Sequence, residues 1–304
     1  MRMTKPAVNV SLFHATGKEF AMPNVIRDPG NWLAQETQAG LSFLAQGLRR
    51  LRRHEASLPE VRRLSLSDLS AALRAGWDDF QALRSDAMFL CLFYPVAGLV
   101  LFFLVSAGSL LPLLGPLVVG FALLGPVFAS GLYEMSRRRA AGELAGWKDA
   151  VALLGRPVIV PIVVLGGYYM FLFGFWLLAA MVIHAVTLGP EMPSSLWAFM
   201  HETFSTFAGW EMLILGTLVG GAFMLAALAT SFAFPLLVDR DISLPGAVAT
   251  SIRIMQRNPL TVLAWGALVG ALLLVGSVPF LVGLIVVFPL LGHATWHLCR
   301  RAVG

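Results

Sequence analysis

Two histidines near the end of the chain, His293 and His297, are four residues apart. On an α-helix this spacing places both imidazoles on one face, where they could hold a metal ion or supply a haem ligand. Trp296 lies beside them, and tryptophan is typical of the aromatic belt at a membrane interface. The spacing alone does not specify a metal, so we expect structural hydrogen bonds from this pair and no cofactor.

Polar residues mark the ends of three apolar segments. They are, in chain order, Tyr133, Glu134, Arg137 and Arg138, then Asp239 and Arg240, then His293, Trp296 and His297. Partial desolvation would strengthen acid–base pairs among them relative to fully exposed pairs. Two interpretations are open: these residues lock helix ends in register, which we favour, or they form a docking patch for a partner or an acidic lipid headgroup.

Motifs for enzymatic chemistry are missing from the sequence. There is no HExxH, Gly-x-Ser-x-Gly, phosphate-binding Gly-rich loop or CxxC. The chain has six histidines, and His14, His54 and His201 lie outside the apolar segments, which leaves too few for a haem–copper oxidase core. We therefore expect a protein that is not an enzyme.

The composition is that of a membrane protein. Apolar residues make up 58% of the chain and charged residues 13%, against roughly 45–50% and 25% in soluble domains. All 22 Lys and Arg fall in four cationic segments, residues 1–86, 137–156, 240–257 and 300–301. Cytoplasmic loops retain such cations, so the cationic segments should share the cytoplasmic side. This retention also explains the pI of about 9.7 without nucleic-acid binding.

The uncharged stretches between the cationic segments are long enough for six transmembrane helices of about 20 residues. We place them near residues 87–105, 112–132, 158–184, 212–238, 260–276 and 280–296. An even number of crossings puts both termini in the cytoplasm and returns every cationic segment to that side. The sequence therefore predicts an all-α polytopic membrane helix bundle, with residues 66–304 as the transmembrane domain and 1–65 as a cytoplasmic tail.

Amphipathic helices accompany these spans. The tail holds a basic one, near residues 31–54, with Leu41, Leu44 and Leu48 on its apolar face. Such a helix can lie on anionic lipid headgroups, or its apolar face can pack on the membrane domain. Others, near residues 67–84, 142–155 and 243–257, each precede two spans, which suggests a threefold repeat of one surface helix and two spans.

A further amphipathic helix is predicted in the outer loop. Trp197, Met200, Phe204 and Phe207 recur there at helical spacing. Aromatic residues favour the headgroup level, so we expect this helix to anchor at the outer interface. The alternative is that it caps a pocket between the spans.

Three sequence strings resemble one bacterial family. They are Gly-Pro-Val-Phe-Ala-Ser-Gly-Leu-Tyr-Glu-Met-Ser-Arg-Arg at residues 125–138, Pro-Leu-Leu-Val-Asp-Arg at 235–240 and Pro-Leu-Leu-Gly-His-Ala-Thr-Trp-His at 289–297. With Gly-Trp-Asp-Asp-Phe at 76–80, they resemble the predicted integral membrane family called domain of unknown function 2189, over residues 64–301. The resemblance implies a bacterial inner-membrane protein with six spans, and it implies no established activity.

Two functions remain open at this point. We favour a non-catalytic protein that binds lipid or partners, as an accessory or assembly factor for an inner-membrane complex. The alternative is a transporter for a neutral or amphipathic small molecule. No Asp, Glu, Lys or Arg lies within the predicted spans, which argues against ion coupling, but prolines do interrupt them.

Overall fold

A computed structural model describes residues 29–53, 57–106 and 110–304 of the chain, and these residues form helices and no strand. Residues 1–28 and 54–56 of the predicted tail lie outside the described residues. Contacts divide the chain into Met1–Ser42 and Phe43–Gly304. The first unit contributes the start of one helix, and the description below concerns the second; the predicted boundary at residue 65 stays a prediction.

The helices follow one another with short connections. They are α1 (Pro29–Arg52), α2 (Leu66–Ala82), α3 (Arg84–Cys91), α4 (Phe93–Ser106), α5 (Leu114–Leu123), α6 (Gly125–Phe128), α7 (Ser130–Ala140), α8 (Trp147–Ala152), α9 (Ile159–Thr187), α10 (Leu196–Ser205), α11 (Phe207–Ser231), α12 (Ala233–Asp239), α13 (Leu244–Arg257), α14 (Pro259–Ser277) and α15 (Leu284–Val303). Two 3-10 turns, Leu111–Leu113 and Leu153–Gly155, precede α5 and follow α8.

Three helical stretches are long and apolar enough to cross a membrane. They are α9, the α11–α12 pair Phe207–Asp239, and α14. A fourth results if Leu66–Ala82 and Arg84–Val100, which meet at a 96° bend, count as one span. The described residues therefore have three to four candidate spans. The three unbroken ones match the third to fifth predicted spans, and six spans are not confirmed.

The other predicted spans are divided between helices or continue into a charged helix end. The first is divided between α3 and α4, and the second between α5, α6 and the start of α7. Pro126 lies in the first turn of α6, and a proline has no N–H to continue the helical ladder of the preceding turn. The sixth is α15, whose last turn carries Arg300 and Arg301. Helix breaks of this kind leave no signal in the length of an apolar run.

The predicted repeat is not confirmed either. In the second copy, the amphipathic helix predicted over residues 142–155 is only the six-residue α8 followed by a 3-10 turn. By contrast, α2 and α13 have 17 and 14 residues. The pattern of one surface helix before each pair of spans therefore stays a prediction.

The best-packed part of the molecule is the contact of α2 with α15. A Cβ added to Gly76 would lie 2.6 Å from the backbone nitrogen of Ala294, so the two helix backbones nearly touch. A Cβ on Gly292 would similarly lie 2.5 Å from Leu132, just after the start of α7. Because of these close approaches, α2, α7 and α15 form one unit, and the segments around residues 76–80, 130–138 and 289–297 meet in space.

Candidate functional site

Glu134 is the centre of the first ionic cluster. Its side chain is 1% exposed and lies on α7, where residues three and four positions later share its face. Its carboxylate accepts hydrogen bonds from Arg137 at 2.7 and 2.8 Å, from Arg138 at 3.0 Å and from Arg156 at 2.9 Å. The predicted pairing of Glu134 with Arg137 and Arg138 is therefore present, and Arg156 is an addition that the sequence analysis missed.

The charged state of Glu134 follows from these contacts. Burial alone would raise the pKa of its carboxyl group, but hydrogen bonds from Arg137 and Arg138 and the nearby charge of Arg156 outweigh burial and hold the pKa below its ordinary value. The same carboxylate raises the pKa of Arg137. Glu134 is consequently an anion at neutral pH.

Arg138 extends this cluster to the next helix. Its Nη1 lies 2.9 Å from Oδ1 of Asp149 on α8 and 3.9 Å from the more exposed Glu143. Asp149 also accepts a hydrogen bond from the backbone N–H of Gly146 at 3.0 Å, which caps the start of α8. The cluster therefore fixes α8 against the end of α7.

Asp79 on α2 is the centre of the second cluster. Its buried carboxylate accepts hydrogen bonds from Ser136 Oγ at 2.6 Å, from His297 Nε2 at 2.8 Å and from Arg139 Nη1. Because the Ser136 hydroxyl donates to Asp79, its oxygen accepts from Nδ1 of His293 at 2.8 Å, which assigns the proton to that nitrogen. One buried carboxylate thus joins α2, α7 and α15.

The two histidines serve this network. His297 Nε2 and His293 Nδ1 are engaged by different partners, and the pair does not converge on a common point as two ligands of one ion would. No group of three or more His, Cys, Asp or Glu in the described ranges is arranged to hold a metal. Each histidine forms one hydrogen bond within the network, and that they hold no cofactor stays a prediction.

Trp296 lies among the helices and not at the membrane interface that the sequence suggested. Its side chain is fully buried, and the guanidinium of Arg300 lies 5.0 Å from its ring centroid. The expectation that it belongs to an exposed interfacial belt is wrong, because α15 turns this face towards the other helices. Tyr133 of α7 is likewise buried.

Asp239 and Arg240 complete the predicted polar residues. Their side chains are 3.9 Å apart, which is a loose ion pair. Arg240 also donates to the carbonyl oxygens of Val303 at 3.1 Å and Gly304 at 2.9 Å. Carbonyls at a helix end have no partner within the helix, so Arg240 caps α15 and holds it against the end of α12.

Asp79 was not among the predicted site residues, although it lies in the string at residues 76–80. The large Trp77 of the same string is 42% exposed. The face that is buried runs instead through Ala72, Gly76, Asp79 and Phe80. Small residues at helical spacing beside an acid were the available signal, because they permit a close approach that buries the carboxylate.

Comparisons with known proteins complete this description. No curated protein and no solved structure matches the chain. The strings at residues 76–80 and 289–297 lie outside the part of the chain that a family profile matches. That profile, of the family described as Predicted integral membrane protein (DUF2189), matches residues 113–239, which include Glu134 and its arginines, and confirms the resemblance to this family over that part of the chain.

Proposed function

We propose that the protein is a non-catalytic accessory or assembly factor of the bacterial inner membrane, and that α1 binds anionic lipid of the cytoplasmic leaflet. The observation that carries this proposal is the placement of the second half of α1. Gly47 lies against Val160 and the carbonyl of Pro157, where a Cβ would clash. Val160 is the second residue of the candidate span α9, so the half of α1 that follows residue 42 is at the depth at which a span ends.

Ion pairs fix the orientation of this part of α1. Arg50 lies 2.6 Å and Arg53 3.1 Å from the carboxylate of Asp241, which follows α12. The bond from Arg53 holds the pKa of this carboxyl group below its ordinary value, so the pairs persist at neutral pH. With one face of the helix against the protein, the remaining faces are free to meet the membrane.

The free faces combine apolar and cationic groups. Leu44 and Leu48, one helical turn apart, are 51% and 53% exposed. Arg49 and Arg52 are exposed too, and neither forms an ion pair with any residue that the structure describes. Leucines can enter the acyl boundary while arginines meet phosphates, and each arginine near an anionic surface adds about 1 kcal/mol.

Contacts between the cationic segments support the proposed orientation. The first segment contacts each of the others through an ion pair: Asp79 with Arg139, Arg53 with Asp241, and Asp68 with Arg301. Segments joined in this way lie on one side of the membrane, and positive-inside retention favours the cytoplasmic side. Six crossings with both termini inside remain part of this proposal.

The test compares the exchange of amide hydrogens in α1 between two kinds of nanodisc. The full chain is reconstituted in phosphatidylcholine alone and in phosphatidylcholine with phosphatidylglycerol. We expect slower exchange over residues 44–53 in the anionic discs, and loss of this difference in the double variant Arg49→Gln/Arg52→Gln. The control Arg63→Gln/Arg74→Gln removes the same charge outside α1 and should keep the difference.

Two results would reject lipid binding by α1. One is equal exchange in the two kinds of disc. The other is a co-purifying protein that is lost with Leu44→Ser/Leu48→Ser and does not depend on lipid charge, because this would assign the leucine face to a protein partner. Protection that weakens as salt rises would support the proposal, because added salt screens the attraction between arginines and lipid phosphates. The Debye length is only about 8–10 Å at physiological ionic strength.

A transporter for a neutral or amphipathic molecule is the second candidate function. The observation that favours it is an apolar cavity between α9, α10 and α11, with no Asp, Glu, Lys, Arg or His among its lining residues. Flux of such a molecule into proteoliposomes that contain only this protein would support transport, and its absence would leave the first proposal in place.

A further inference from the structure

A groove of about 580 Å³ lies between the segment that precedes α2, at residues 58–61, and the end of α13. Glu60 contributes to the wall on one side, and Arg253, Gln256 and Arg257 contribute to the wall on the other. All four residues are exposed. One carboxylate and two guanidinium groups therefore surround the same space, and such an arrangement suits a ligand that carries charges of both signs.

The charges around this groove are not used within the described part of the protein. Neither Glu60 nor Arg253 nor Arg257 forms an ion pair or a side-chain hydrogen bond with a described residue. The carboxylate and the two guanidinium groups are therefore too far apart to pair directly, although they line one groove. A ligand can bind between them without displacing an internal contact.

Hydrogen bonds fix the two walls relative to each other. Asn258, which is buried directly after α13, accepts a hydrogen bond from the backbone N–H of Leu64 at 2.7 Å and donates one to the carbonyl oxygen of Arg62 at 3.0 Å. Thr261 donates to the carbonyl oxygen of Leu64 at 3.1 Å. The segment that carries Glu60 is thus tied to the junction of α13 and α14, so the groove exists before a ligand binds.

The groove lies beside the start of a candidate span. This span is α14, which begins at Pro259, directly after the buried asparagine that ends α13. Leu260 and Leu263, in its first turns, are 80% and 40% exposed. Exposed leucines of a span contact lipid chains, and arginines just before a span lie at the depth of lipid phosphates. A phospholipid can therefore place its headgroup in the groove and its chains along α14.

We propose that this groove binds a phospholipid with a primary ammonium in its headgroup, of the phosphatidylethanolamine type. The phosphate meets Arg253 and Arg257, and the ammonium group donates hydrogen bonds to Glu60. A choline headgroup has no N–H to donate, and the headgroup of phosphatidylglycerol offers no cation to the carboxylate. The arginines thus select for phosphate, and Glu60 selects among the headgroups that carry it.

This inference goes beyond lipid binding by α1, which concerns residues 44–53 and the net charge of the leaflet. The groove distinguishes lipids by the structure of the headgroup. The variants that test it leave α1 unchanged, so either proposal can fail while the other stands.

The experiment measures the dissociation constant of the first bound lipid by native mass spectrometry of the full chain in a mild detergent. The probes are dioleoyl phosphatidylethanolamine, phosphatidylcholine and phosphatidylglycerol, which share their acyl chains. We expect phosphatidylethanolamine to bind about three- to tenfold more tightly than the other two. This range lies between those of an exposed ion pair and a buried charged hydrogen bond, because Glu60 is exposed.

Glu60→Gln tests the selection of the ammonium group. It should abolish the preference for phosphatidylethanolamine over phosphatidylcholine and strengthen the binding of phosphatidylglycerol, because the acceptor charge and its repulsion of anions are both removed. Glu191→Gln is the matched control, since this exposed carboxylate lies between α9 and α10 and does not line the groove. The control should keep the preference of the wild type.

Arg253→Gln/Arg257→Gln tests the selection of phosphate and should weaken the binding of all three lipids about tenfold. Arg74→Gln/Arg84→Gln removes the same charge from exposed positions outside the groove and should not weaken it.

Four results would overturn the proposal. The wild type could bind phosphatidylglycerol as tightly as phosphatidylethanolamine, Glu60→Gln could retain the preference, or either control could have the effect of its groove variant. The fourth is binding of soluble phosphoethanolamine as tight as that of the lipid, because the groove would then recognise a free phosphate compound.

Discussion

Replacing Glu134 by Gln tests whether the ionic cluster on α7 stabilises the fold. The substitution keeps the size of the side chain and one oxygen acceptor but removes the charge that Arg137, Arg138 and Arg156 share. Three cations would then face one another without the carboxylate that joins them, and Arg138 would keep its pair with Asp149. We expect a folded but less stable protein.

The size of the stability loss follows from how deeply the carboxylate and the arginines are buried. Removing one partner of a fully buried ion pair costs about 3–5 kcal/mol, because the other charge stays desolvated. Here the carboxylate is buried, but the arginine side chains are 27%, 28% and 42% exposed and can turn to water. We therefore expect a loss of about 2 kcal/mol, towards the value for charged hydrogen bonds. At roughly 2–4 °C per kcal/mol, the apparent Tm should fall by about 4–8 °C.

The assay is the apparent Tm of purified protein in one detergent at a fixed heating rate, since unfolding of such proteins is seldom reversible. The matched control is Glu143→Gln, whose carboxylate is half-exposed and 3.9 Å from Arg138. An exposed pair contributes about 0–1 kcal/mol, so at the same conversion the control should lower the Tm by about 4 °C at most. Equal shifts in the two variants would refute the assignment of Glu134 as the centre of the cluster.

The pH dependence adds an internal check. The pKa of Glu134 is depressed in the folded protein, so its contribution to stability is fully present above the unfolded pKa of about 4.3 and is lost as pH falls through the folded pKa. The difference in Tm between the wild type and Glu134→Gln should be constant from pH 7 to 5 and narrow below about pH 4. A Tm difference that grew as the pH fell would contradict a lowered pKa for Glu134 in the folded protein.

Three further substitutions address the other contacts. Gly76→Ala should destabilise the protein by about 3 kcal/mol, because the new methyl group meets the backbone of α15 at 2.6 Å, whereas Gly167→Ala, with open space around it, should be neutral or slightly stabilising in the same thermal assay. Asp241→Asn should leave the Tm nearly unchanged and speed amide exchange over residues 44–53, since it releases exposed pairs to α1; unchanged exchange would mean that Gly47 alone docks the helix. Ser136→Ala should lower the free energy of unfolding by about 1–3 kcal/mol, because His293 and Asp79 each lose a buried partner. An unchanged Tm would mean that the Ser136 hydroxyl does not stabilise the contact of α7 with α2 and α15.

The class of the protein could be predicted because it depends on composition and run length alone. Long uncharged stretches must form helices in lipid, where every backbone group needs an internal partner. For the same reason α9, the α11–α12 pair and α14 begin and end within about five residues of the limits predicted for the third to fifth spans. The breaks in the second predicted span depend instead on Pro126 and on local packing, which the length of an apolar run does not report.

The candidate site was predicted only where its members are neighbours in sequence. Glu134 and Arg137 are three residues apart, so helical geometry alone pairs them. Asp79 reaches Ser136 and His297 across 57 and 218 residues of chain, and nothing in their spacing indicates the contact. It depends on Gly76, whose missing side chain lets α2 approach α15. Small residues on a helix face, such as Gly76, therefore indicate a close helix contact that large apolar residues do not reveal.

The two ionic clusters and the cationic face of α1 differ in one respect that bears on the proposed lipid binding. In the clusters, both carboxylate oxygens of Glu134 and of Asp79 accept hydrogen bonds from side chains of the protein itself, so a ligand would have to displace an existing bond. The exposed Arg49 and Arg52 of α1 form no ion pair with a described residue. Lipid phosphates can meet these two arginines without breaking an internal contact, and for that reason we propose lipid binding at α1 and structural locking at the two carboxylates.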